Sequence, residues 1–86
     1  MVYSYTAERP FVFTEEGQVM FLKIRDKTKA LFEQAGAARC QEIISGVCGS
    51  SWSMLACVDR LVELGEMREV TAADSVAGQH RVFVAR

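Results

Sequence analysis

At 86 residues, half of them hydrophobic and 24% charged, with a formal net charge of −1, the chain can build one small domain that buries roughly 60–65% of its unfolded surface. One proline and six glycines exclude a disordered composition, and no run of ~18 apolar residues exists to span a bilayer. Residues Met1-Val2-Tyr3-Ser4-Tyr5-Thr6 lack the basic and apolar regions of a signal peptide, so a cytoplasmic location and no membrane partner are expected.

Residues 1–13 form an aromatic N-terminal arm, with Tyr3, Tyr5, Phe11 and Phe13 around Pro10. Phe11-Val12-Phe13 suits a short strand, because aromatic and β-branched side chains fit a pleated surface; an irregular arm packed on the core is the alternative. Residues 14–86 form the domain proper. Thr14 is set to cap a helix, with Glu15 and Glu16 in its first turn where they favour the dipole. Met20, Ile24, Thr28, Leu31 and Ala35 recur at three to four residues, widened by Phe21, Leu22 and Phe32, and Gly36 is the stop. Gly17 is expected to fray the first turn.

Ala38 to Ser45 reads as a short second helix with Cys40, Ile43 and Ile44 as its apolar side. Two glycines in Ser45-Gly46-Val47-Cys48-Gly49-Ser50 mark a turn. A third helix follows from about Ser51 to Leu64, capped by Ser50 or Ser51, with Leu55, Val58, Leu61 or Val62, and Leu64 as its core stripe. Gly65 is expected at positive φ. Period-two alternation then predicts strands near residues 67–71 and 80–85, joined by Ala72-Ala73-Asp74-Ser75-Val76-Ala77-Gly78, a connection longer than a tight hairpin needs.

Cys40, Cys48 and Cys57 are odd in number, and none of the paired spacings of a zinc site is present. Reduced thiols packing as small hydrophobes are expected, and no metal. A zinc site from all three with His80 is the alternative. There is no phosphate-binding glycine loop, no nucleophile with a histidine pattern and no spaced carboxylate pair, and a deep pocket is hard to build at this size, so catalytic residues, a cofactor and a small-molecule substrate are not expected.

The charges are unevenly spread. Residues 1–39 carry +1 and residues 40–86 carry −2. Phosphate neutralisation drives nucleic-acid affinity, so an acidic second half argues against plain DNA binding.

The helix, glycine, strand order of Ser53 to Met67, and above all Leu61-Val62-Glu63-Leu64-Gly65-Glu66-Met67 with Val58 three residues earlier, resembles the recognition-helix segment of bacterial winged helix-turn-helix regulators. The likeness extends over residues ~28–85. It implies an α+β fold, a winged helix-turn-helix of three helices plus a two-stranded β-wing. It also implies a third helix that enters the DNA major groove, with Ser51, Trp52, Ser53, Ala56, Cys57 and Arg60 toward the bases. Gln79, His80 and Arg81 would then lie on the wing, and Lys23 and Lys27 on the first helix would meet phosphates.

Blander readings stand beside these. Trp52 suits a half-buried anchor between helices, His80 a surface residue, and Lys23, Arg25, Lys27 and Lys29 a solvated face. Cys57, taken as exposed, could serve as a thiol sensor with Arg60 one turn on. Two functions follow: a small DNA-binding protein of regulatory or accessory type with double-stranded DNA as partner, or a winged-helix protein-interaction module. The second would use Tyr3, Tyr5, Phe11, Phe13 and Trp52 and form a homodimer on the arm and first helix.

Overall fold

The computed structural model describes residues 3–70 and 81–86. The elements run α1 (Tyr5–Val12), α2 (Glu15–Ala35), β1 (Ala37–Arg39), α3 (Cys40–Ile44), α4 (Ser51–Glu63), β2 (Met67–Glu69) and β3 (Val82–Ala85). The fold is α+β: among the described residues, four helices and a three-stranded antiparallel sheet in the order β1-β3-β2. The predicted connection 72–78, together with Thr71, Gln79 and His80, lies outside the described residues.

The aromatic arm is neither a strand nor irregular. Residues 5–12 are helical, opened by Ser4, whose hydroxyl accepts from the Ala7 amide at 3.5 Å. Pro10 sits inside this helix, where its ring denies one backbone hydrogen bond. Eight residues with an internal proline are too short to stand alone in water, so tertiary packing must hold α1. Thr14 ends α1 and starts α2 with a single hydroxyl. It donates to the Phe11 carbonyl at 2.7 Å and accepts from the Gly17 amide at 3.0 Å.

Gly17 does not fray the start of α2; it is buried in the crossing with α1. A Cβ there would lie 1.9 Å from the Phe11 carbonyl oxygen, so only glycine lets the two backbones approach this closely. Helix α2 then runs 21 residues to Gly36, which has φ 74° and donates its amide to the Phe32 carbonyl. Gly17, Phe21, Ile24 and Thr28 form its buried face, and the Thr28 hydroxyl donates to the Ile24 carbonyl at 2.8 Å.

The second helix begins at Cys40, not at Ala38, because Ala37–Arg39 form a strand. Nothing in Ala-Ala-Arg favours a strand on its own. Pairing imposes it: Ala37, Ala38 and Arg39 lie opposite Val84, Phe83 and Val82. On the other side of β3, Met67, Arg68 and Glu69 lie opposite Ala85, Val84 and Phe83. The sheet therefore has three strands where two were expected. Gly65 has φ 77° and turns the chain from α4 into β2, as the sequence pattern predicts.

The core lies between the helices and one face of this sheet. Val12, Ile24, Cys40, Ile43, Val58, Leu61, Met67 and Phe83 are all at most 1% exposed.

Candidate interaction surface

Five consecutive residues of α4, Met54 to Val58, are buried, and Leu61 with them. Successive residues turn by about 100° along a helix, so five in a row cover its whole circumference. This central turn is enclosed on every side, packed by α1, α2 and the sheet. Ala56 and Cys57, expected to face DNA bases, are 0% exposed. The expectation failed because it left this flank open, whereas α1 and α2 both pack on α4. The Cys57 thiol instead donates to the Gly17 carbonyl at 3.9 Å, and burial pushes its pKa up to about 11. A thiol sensor needs the opposite, a lowered pKa and access. Cys40 is likewise raised by burial to about 11, and Cys48 is exposed.

Polar contacts line the rim of the α1–α4 contact. The Tyr5 hydroxyl donates to Glu63 at 2.7 Å, the Arg9 guanidinium reaches both Glu63 oxygens at 3.1 Å, and Arg60 donates to the same carboxylate at 2.6 Å. Hydrogen bonds from Tyr5, then Arg60 and Arg9, hold the Glu63 carboxyl at about 2. Burial and the bond to Glu63 raise the Tyr5 phenol to about 12. Arg9 and Arg60 both stack on the Phe13 ring, 4.9 and 5.0 Å from its centre. One turn away, the Tyr3 hydroxyl donates to Asp59 at 2.6 Å. The tyrosines expected to meet a partner are thus engaged within their own chain.

Arg81 is engaged in the same way. It donates to Asp59 at 2.6 Å and to Glu69 at 2.8 Å, and its guanidinium lies 5.1 Å from the centre of the Phe83 ring. Burial alone would lower its pKa, but the hydrogen bonds to Asp59 and Glu69 outweigh it and the pKa is raised. Its side chain is only 17% exposed. Gln79 and His80 lie outside the described residues.

Of the remaining predicted site residues, Ser53 and Lys23 come together with Phe11, Val19, Met20 and Val47 around a groove of about 510 Å³ between α2 and the α3–α4 turn. Ser51 is exposed at the start of α4, and Trp52 is half-buried against the core. Lys27 donates its ammonium to the Ser45 carbonyl.

The sequence reading missed the outward face of α2. Val19 is 56% and Leu22 49% exposed. Leu22, expected to widen the apolar stripe, instead turns outward beside Val19, off the face that Phe21, Ile24 and Thr28 define. Among the described residues no helix is long and apolar enough to cross a membrane, and no group of three or more His, Cys, Asp or Glu could hold a metal ion. Compared with known protein families, curated proteins and solved structures, the chain matches none.

Proposed function

We propose that this chain is a winged-helix domain acting as a protein-interaction module that does not read DNA bases. The winged-helix part is supported by the succession of α4, the left-handed Gly65 and β2, the part of the chain that carries the sequence likeness. The functional part rests on one observation above the others, the enclosure of α4 around its central turn. A recognition helix must bring an outward face into the major groove. Here Ala56 and Cys57 are shut in, and the cations at the rim, Arg60 and Arg81, are held by carboxylates of the same chain. A formal charge of −1 adds no long-range attraction for phosphate.

Ser53 and Lys23, which share one groove, support a second reading in which the start of α4 touches DNA. A fluorescence anisotropy titration with random duplex DNA at low salt separates the two. No binding is expected up to high protein concentration. Tight binding that weakens steeply with salt would overturn the interaction-module reading, because such a slope counts released counterions.

A further inference from the structure

We infer that the outward face of α2 pairs with the same face of a second copy of this chain, antiparallel, about a two-fold axis beside Leu22. The inference rests on the interaction-module reading and names its partner. Glu15, Val19, Leu22, Asp26, Lys29 and Glu33 are all exposed and follow one another at alternating intervals of four and three. That is the spacing of a seam between two paired helices. It lies opposite the buried Gly17, Phe21, Ile24 and Thr28. Val19 and Leu22 are two of the five large hydrophobic side chains left exposed among the described residues, and they sit side by side on this seam. Phe11, Met20 and Val47 border it through the adjoining groove.

The charges choose the partner and its direction. Glu15 and Lys29 stand equally far from Leu22 on either side, about 10 Å along the axis. With an axis at Leu22, Glu15 of each copy meets Lys29 of the other, and Leu22 meets Leu22. A parallel pair in register would instead set Glu15 on Glu15, Asp26 on Asp26, Lys29 on Lys29 and Glu33 on Glu33, four repulsive layers. Antiparallel helices also set opposite dipole ends together. A two-fold interface uses the same patch on both copies, so each complementary pair occurs twice. Leu22 against Leu22 is the apolar contact at its centre, with Val19 of each copy falling beside Arg25 and Asp26 of the other, so the contact is small and an affinity in the micromolar range or weaker fits it.

Sedimentation velocity on the full chain over a concentration series tests this. The expected result is a shift from the 9.6 kDa monomer toward twice that mass. Leu22→Glu should keep the chain monomeric at every concentration. Lys29→Glu and Glu15→Lys should each weaken association by about tenfold, since each turns two attractions into two repulsions. The double variant Glu15→Lys with Lys29→Glu should recover wild-type association, which lost folding cannot mimic; circular dichroism on each variant checks the fold.

A wild type that stays monomeric at millimolar concentration overturns the pairing. So does a dimer indifferent to Leu22→Glu, or a folded double variant that fails to recover. DNA binding by a chain whose dimer behaves as described would overturn the interaction-module reading and leave the pairing standing.

Discussion

Helices α2 and α4 begin alike, each behind a hydroxyl residue in extended conformation, Thr14 and Ser50, and each carries an apolar stripe that the sequence displays plainly. Their surroundings differ. Around the middle of α4 every side is covered, while α2 is buried on one face and bare on the other. The cover comes from α2, the sheet and α1 together, and α1 is eight residues that could not hold a helix alone. What a helix can offer a partner is therefore set less by its own pattern than by which neighbour reaches it. The polar rim of Tyr5, Arg9 and Glu63 shows the cover being fixed in register, while Val12, fully buried, carries its apolar contact.

The comparison breaks most readily at the close approach of α1 and α2. Gly17→Ala would set a Cβ 1.9 Å from the Phe11 carbonyl oxygen, and backbone cannot yield as a side chain tip can. A loss of about 3 kcal/mol is expected, as for overpacking a tight site, read as a lower urea midpoint. A loss under about 0.5 kcal/mol, the scatter of surface changes, would mean that α1 does not pack there.

The next test sets the two regions side by side. Val12→Ala under the cover should cost about 2 kcal/mol by removing buried methyl groups, whereas Val19→Ala on the bare face should fall within about 0.5 kcal/mol of wild type. Urea titrations at a protein concentration low enough to keep the chain monomeric isolate this difference from association. Equal losses would erase the distinction between the faces.

The smallest effect concerns the rim. Glu63 titrates at about 2, below its ordinary 4.5, so the folded state favours its charged form. Its contribution is complete above the unfolded value and is lost as pH falls from about 4.5 toward 2. Glu63→Gln should therefore unfold at a lower urea concentration than wild type at pH 7, and the two should converge near pH 2. A gap that persists at pH 2 would assign the loss to packing instead of charge.

Much of this was legible from residue patterns. The span from Thr14 to Gly36, the start of α4 at Ser51 and the left-handed Gly65 follow from caps, apolar period and glycine stops, which are local signals. Strand β1 was illegible because Ala37-Ala38-Arg39 has no strand preference and takes its state from Val82–Val84 across the sheet. Helix α1 was misread because Phe11-Val12-Phe13 around Pro10 mimics an edge strand. Ser4 with Glu8 in the first turn was the competing helix signal. Cys57 and Ala56 read as exposed in the sequence because which faces of α4 are covered by α1 and α2 is a tertiary fact that the helix's own pattern does not carry. The ion pairs of Arg81 with Asp59 and Glu69 join residues far apart in the chain, and no spacing rule announces them.

Strand β3 is the middle strand, yet it is the last of the described elements. Ala37 waits for Val84 across more than half the sequence, while α2 and α4 draw their backbone bonds from within themselves. Among the described residues, β3 is the strand with which both β1 and β2 pair. A chain cut before Val82 would lack the strand that joins β1 to β2, and with it Phe83, the largest fully buried side chain among the described residues. Strand edges left unpaired in that way invite aggregation.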